Sequence, residues 1–226
     1  MIVTVTANPS LDRLVALGGP LRRGAVHRAE GAAADPGGKG VNVSRVVHAA
    51  GEGTVAVLPA DQGDPLLAGL SRLGVPAIPV PVGHEVRSNI TVTEPDGTTT
   101  KVNGPGPVLS DADSHAIASE LTARALASDW VVLAGSLPRG VNTDWYCDLI
   151  SAVRAAAPQA RIAVDTSDAP MQAIGESLNS AAPDLIKPNG LELGQLTGTD
   201  GRELEEQAAR GDYSGVVRAA RDVVKQ

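Results

Sequence analysis

Gly37-Gly38-Lys39-Gly40-Val41-Asn42 sets three glycines around a lysine at the point where an apolar periodicity of helical spacing begins. Val43, Val46, Val47 and Ala50 recur at i, i+3, i+4 and i+7, which predicts a helix burying that face and stopped by Gly51. Free N–H groups and the dipole at such a helix start favour an anion, and glycine lets a ligand approach the backbone. Lys39 adds a full positive charge. The chemistry this suits is phosphate binding, and a glycine turn that only redirects the chain is the competing reading. Two textual matches drop out. A P-loop needs Gly where Ala33 stands and Ser or Thr where Gly40 follows the lysine. Gly51-Glu52-Gly53-Thr54-Val55-Ala56 fits G-x-G-x-x-A, but it closes a helix and opens a strand, the reverse of the dinucleotide context.

Further polar residues stand where apolar runs stop. Ile2 to Ala7 leads into Asn8-Pro9-Ser10-Leu11-Asp12, and Trp130 to Ala134 into Gly135-Ser136-Leu137-Pro138. Ile162 to Val164 ends at Asp165, and Asp184-Leu185-Ile186 leads into Lys187-Pro188-Asn189. In open parallel sheets ligands bind outside the carboxyl ends of the strands, so these residues are candidates for one site. Asp165, Asn189 and Asn142 also suit helix N-caps.

The elements that must position them alternate. Strands at 2–7, 54–59, 130–134, 162–165 and 184–186 are separated by helical patterns after Gly40, near 65–73 and at 144–157. Unbroken apolar strands between helices predict an α/β fold with a doubly wound, mostly parallel sheet. Ser88 to Thr93 alternates instead, Glu94-Pro95-Asp96-Gly97 is turn chemistry, and Thr98 to Val102 returns, which predicts a half-exposed β-hairpin. With extended pieces at 14–17 and 26–29 it would form a small second sheet, either a lid that excludes water during transfer chemistry or an ordinary protrusion.

Composition narrows the function. With 226 residues the chain can bury a sizeable core as one domain, and with no phenylalanine that core must be aliphatic. The aromatics Trp130, Trp145, Tyr146 and Tyr213 are too sparse for base stacking. A net charge of −7 argues against nucleic acid or an anionic membrane as partner. The lone Cys147 excludes an internal disulfide and fits a reducing, cytoplasmic setting. His27, His48, His84 and His115 lack metal-ligand spacing. Met1 to Val5 has no basic region before an apolar stretch and reads as a strand, not a signal peptide.

Taken in order, Thr-Ala-Asn-Pro-Ser-Leu-Asp at 6–12, the Gly-Gly-Lys-Gly-Val-Asn run, Gly-Ser-Leu-Pro at 135–138 and Lys-Pro-Asn-x-x-Glu at 187–192 resemble the ribokinase-like sugar kinases. The likeness is to their phosphofructokinase B branch, within it to the 1-phosphofructokinases, with tagatose 6-phosphate kinases as near neighbours. It covers essentially the whole chain. The resemblance implies ATP-dependent phosphorylation of a ketohexose phosphate, fructose 1-phosphate to fructose 1,6-bisphosphate, by one kinase domain over 1–226 with lid segments at about 13–30 and 87–103. It implies Asp12, Gly38, Lys39, Asn42, Arg87 and Ser136 for the sugar phosphate, Lys187 and Asn189 for the nucleotide, and Glu192 for ordering Mg2+ through water. A carboxylate accepts from vicinal hydroxyls, an amide donates and accepts, and a guanidinium fork suits phosphate oxygens. A homodimer through the lid is a further implication.

One motif of the resemblance has no counterpart. The family's base aspartate lies in Gly-Ala-Gly-Asp, expected beyond Gln226, and Ala209-Arg210-Gly211-Asp212 reads as a loop between two helical patterns. The expectation is a carboxyl-truncated, aggregation-prone and nearly inactive form, since losing a general base costs about 10²–10⁴ in rate. A non-catalytic protein that binds sugar phosphate is the alternative.

Overall fold

A computed structural model describes residues 1–225. The chain opens with β1 (Ile2–Val5), crosses into β2 (Ser10–Leu17) and β3 (Ala29–Gly37), then returns through α1 (Lys39–Ala49) to β4 (Thr54–Pro59), α2 (Pro65–Arg72) and β5 (Ala77–Val80). A hairpin follows, β6 (Arg87–Thr93) and β7 (Thr99–Asn103), and then α3 (Asp111–Ala125), β8 (Trp130–Ala134), α4 (Trp145–Ala156) and β9 (Arg161–Asp165). The last stretch is α5 (Asp168–Glu176), β10 (Leu185–Ile186), α6 (Gly190–Thr197), α7 (Gly201–Ala209) and α8 (Ser214–Val224).

Six strands form one sheet in the order β10-β9-β8-β1-β4-β5, every neighbouring pair parallel. Chain order runs outward from β1 to β4 and β5 on one side and from β8 to β10 on the other. The direction of winding therefore reverses between β1 and β8, the switch point where such sheets open a crevice at their carboxyl ends. Alternation along β4 shows why both faces are covered. Val55 and Val57 enter one aliphatic core with Ile117 of α3, Leu149, Ile150 and Val153 of α4 and Ile174 of α5. Ala56 and Leu58 enter a second core with Val41 of α1 and Leu66 and Leu70 of α2. Leu193, Leu204 and Ala219 make a small third cluster among the last three helices.

The second sheet has the order β3-β2-β6-β7 and is attached at the carboxyl end of β1, which feeds β2 directly, while β3 feeds α1. β2 pairs antiparallel with β3 and parallel with β6, and Asp12 lies opposite Asn89. Strand alternation then puts Ser10, Asp12, Arg87 and Asn89 on one face.

Two expectations shift. The second extended piece, expected at 26–29, is β3, which starts at Ala29 and runs to Gly37, held by its pairing with β2 although Ala-Glu-Gly-Ala-Ala-Ala has little strand preference. The buried stripe of α1 is Gly40, Val41 and Ser44, while Val46 is 69% exposed and Ala50 is exposed. Close approach to β1 decides this. A Cβ on Gly40 would lie 2.4 Å from Thr6 Oγ1 and 2.7 Å from the Val5 carbonyl oxygen, so only glycine lets the helix seat there. One turn on, the buried Ser44 hydroxyl bonds Thr4 at 2.9 Å and Thr54 at 3.0 Å. Small and polar residues make the contact, and the valines flank it. Gly51, at φ 81, ends the helix as expected.

Candidate active site

α1 begins at the switch point with its N-cap Gly38 at φ 109, a conformation that only glycine adopts at little cost. A Cβ there would also meet Thr6 Cγ2 at 2.6 Å. Among the described residues no side chain caps this terminus, and its first turn carries no acidic residue. The first intrahelical bond runs from Asn42 N–H to the Gly38 carbonyl, so the N–H groups before it remain for a ligand.

Above this terminus, Asp12 is held by the second sheet. Its Oδ1 accepts from Ser10 Oγ at 2.7 Å and from Asn89 Nδ2 at 2.9 Å, which leaves Oδ2 to accept from something else. Gly37 presses against that carboxylate, with room for no side chain. Arg87 donates from Nη1 to the Gly104 carbonyl at 3.3 Å. Burial pulls its guanidinium below the ordinary arginine range, opposed by the Asp12 charge. Among the described residues, the buried side-chain atoms without a hydrogen-bond partner are Thr6 Oγ1, Asn8 Oδ1, Arg87 Nε and Asn89 Oδ1. All four belong to the β1 end or to β6. Buried polar atoms left unpaired cost about 1–3 kcal/mol each, so their clustering marks a place built to receive polar groups.

The other strand ends form a second cluster. Asp165, closing β9, accepts from Lys39 Nζ at 2.8 Å and pairs with Lys187 Nζ at 3.4 Å through its other oxygen. Gly135, just after β8, donates its N–H to the Asp165 carbonyl at 2.9 Å, and its own carbonyl accepts from Tyr146 Oη at 3.0 Å and Thr166 Oγ1 at 2.9 Å. Burial, with the Asp165 charge, pushes the Tyr146 phenol far up, so it stays a neutral donor. Burial likewise raises the Cys147 thiol, which suits packing and not nucleophilic attack. Asn189 and Glu192 form a reciprocal capping box at the start of α6: Asn189 Oδ1 accepts from Glu192 N–H and Glu192 Oε2 from Asn189 N–H, both at 2.8 Å. Of the three candidates for a cap, Asn189 serves as one, whereas α4 and α5 start at caps Asp144 and Ser167.

The structure thus brings Asp12, Gly38 and Arg87 to the junction of the two sheets, and Lys39 and Lys187 onto one carboxylate. Ser136 is exposed at the end of β8 and Asn42 is exposed in the first turn of α1, where Arg45 donates to it at 3.4 Å. Neither side chain bonds another expected site residue among the described residues. Glu192 spends one oxygen on its cap and has Oε1 left, and no group of three or more His, Cys, Asp or Glu that could hold a metal ion occurs among the described residues. One free carboxylate oxygen suits a water-mediated contact to a divalent cation and not a dedicated cage of protein ligands. The strand-end reading already placed Asn8 and Asp165 among the candidates, without a role for either, whereas Asn89 was missed. Asn89 had a signal, since it stands two residues after Arg87 and so shares its face.

A strand-end crevice, an uncapped glycine-rich helix start and a small sheet over it define an α/β protein of ribokinase-like architecture. Residues 7–219 match the pfkB family carbohydrate kinases, and the chain belongs to that family. It is 34% identical over 215 residues to a 1-phosphofructokinase of Rhodobacter capsulatus, covering 92% of this chain and 66% of the relative. It is 33% identical over 213 residues to the ATP-dependent 6-phosphofructokinase isozyme 2 of Mycobacterium tuberculosis, covering 92% of this chain and 60% of that one. The crystal structure of phosphofructokinase-2 from Escherichia coli in complex with fructose-6-phosphate superposes with a TM-score of 0.82 at 26% identity, covering 99% of this chain and 70% of that one. The chain spans somewhat under two thirds of the length of the curated relatives it matches.

Proposed function

We propose that the function is ATP-dependent phosphorylation of a ketohexose phosphate, fructose 1-phosphate to fructose 1,6-bisphosphate. The observation that carries this is the pairing of an uncapped Gly-Gly-Lys-Gly helix start with Asp12 and a half-buried Arg87 at the junction of the two sheets. Asp12 accepts from sugar hydroxyls, Arg87 and the α1 terminus hold the sugar phosphate, and Gly38, Lys39, Asn42 and Ser136 line its loop. Lys187 and Asn189 serve the nucleotide side, with Glu192 reaching magnesium through water. Magnesium, when bound, neutralises phosphate charge. The second sheet acts as the lid, and the exposed, cross-strand neighbours Ile90 and Val102, on the face away from Asp12, support a homodimer through it. No helix among the described residues is long and apolar enough to cross a membrane. The single Cys147 suits a reducing, cytoplasmic setting.

The sequence holds no Gly-Ala-Gly-Asp, so binding without turnover by residues 1–226, as in a sugar-phosphate-binding protein, is the second reading. ADP release with magnesium-ATP over fructose 1-phosphate, tagatose 6-phosphate and fructose 6-phosphate separates them. Fastest turnover on fructose 1-phosphate supports the kinase. Saturable sugar-phosphate binding with no ADP supports the second, and neither binding nor turnover removes both.

A further inference from the structure

Asp165 lies outside the motifs, yet two motif lysines meet on it. Its backbone is fixed as the last residue of β9, paired with Ala134 and receiving the Gly135 N–H, and its side chain is only 21% exposed. The two lysines come from opposite halves of the crevice: Lys39 opens α1 beside the sugar-side residues, and Lys187 follows β10 on the nucleotide side. Their side chains are 45% and 71% exposed, and among the described residues neither has another side-chain partner. A lysine stem has several rotatable bonds and samples solvent widely unless something holds its head. A single carboxylate here gives each head a fixed address, one per oxygen. It also offsets part of their charge, so it competes with any phosphate that approaches them.

We propose that Asp165 is a positioning residue whose carboxylate parks Lys39 and Lys187 as one pair at the strand ends and releases them to an incoming phosphate chain. The proposal rests on the reading of this crevice as a phosphate site, and it adds a counter-ion shared by the sugar side and the nucleotide side. No bond is made or broken; an ion pair is exchanged.

The test is calorimetric titration of the whole chain with magnesium-free inorganic tripolyphosphate. Asp165→Asn removes the competing charge and is expected to bind about fivefold tighter, the worth of one unit charge at about 4 Å in water. Asp165→Glu is expected to return the affinity toward that of the unmodified chain. Adding Lys39→Met and Lys187→Met to Asp165→Asn is expected to abolish the gain. A purely structural aspartate would give the opposite sign, weaker or unchanged binding with a lower melting temperature, and that result overturns the proposal. Absence of tripolyphosphate binding by both forms overturns it as well.

A second readout needs no variant. The Nζ resonances of Lys39 and Lys187 in the unmodified chain are expected to move together, with one dissociation constant, as tripolyphosphate is added. Movement of only one, or of neither, overturns the pair. A fivefold gain in Asp165→Asn with no fructose 1-phosphate binding by any form would leave this inference standing and remove the proposed substrate.

Discussion

Gly37→Ala aims at Asp12 without touching it in sequence. A Cβ built on Gly37 would lie 2.2 Å from Asp12 Oδ2, 2.4 Å from Cγ and 2.7 Å from Oδ1. Ordinary carbon contacts need about 3.5 Å, so the carboxylate must retreat by about 1 Å. That displacement breaks the bonds from Ser10 at 2.7 Å and Asn89 at 2.9 Å, which set the direction of the free oxygen. Misplacing it forfeits two hydrogen bonds to sugar hydroxyls, about 1–3 kcal/mol, so fructose 1-phosphate should bind about 5- to 150-fold more weakly. Stability should barely move. Gly37 is not at positive φ, and alanine in compatible backbone gains about 0.4–1 kcal/mol through the unfolded chain, which offsets the lost carboxylate bonds. Gly31→Ala, on the same strand with nothing within 4 Å of its Cβ, is the control and should bind as the unmodified chain does. Calorimetry with thermal melts reads both quantities. A folded Gly37→Ala that binds fructose 1-phosphate within twofold of the unmodified chain would refute the reasoning about Asp12.

Three further outcomes follow from contacts already described. Arg87→Lys keeps the charge and loses the planar fork, so affinity for fructose 1-phosphate should fall about ten- to a hundredfold while affinity for fructose itself is unchanged, read by the same titrations. Ser44→Ala leaves the buried Thr4 and Thr54 hydroxyls without their shared partner and should cost about 1–3 kcal/mol, at about 2–4 °C of melting temperature per kcal/mol. At Asp184, partial burial opposes ionisation, but the Ile162 N–H and Arg154 at 2.7 Å outweigh it and hold the carboxyl below its ordinary range. A depressed carboxyl stabilises above the unfolded value near pH 4 and loses that as pH falls through the folded value, so Asp184→Asn should melt lower at neutral pH by about 1 kcal/mol, discounted for a pair about one-third exposed. As pH falls from about 4 through the folded value, the two melts should converge.

What the chain's letters revealed depended on where a residue's partners lie. β4 is readable to the residue because Thr54 to Pro59 is a short, almost unbroken apolar run buried on both faces. β3 is not, since alanines, glycines and charged residues become a strand there only by pairing with β2. α3 shows few apolar positions, with Ile117, Leu121 and Ala125 carrying its buried face, and no helix was expected at 111–125. The face of α1 misled because its contact is made by Gly40 and Ser44, which an apolar count passes over. The Asn189 and Glu192 cap is local, spaced by three, and legible as such. Asp165 meets Lys39 across 126 residues, and no spacing rule spans that distance.

The central claim is that the junction of the two sheets recognises a phosphorylated ketohexose. Titrating the whole chain with fructose 1-phosphate, and in parallel with fructose and inorganic phosphate, tests it most directly. Saturable binding of fructose 1-phosphate that is lost in Asp12→Ala and in Arg87→Met, with fructose and inorganic phosphate each far weaker, is the predicted result. Equal binding of fructose 1-phosphate by the unmodified chain and both variants, or none by any of them, would contradict the account.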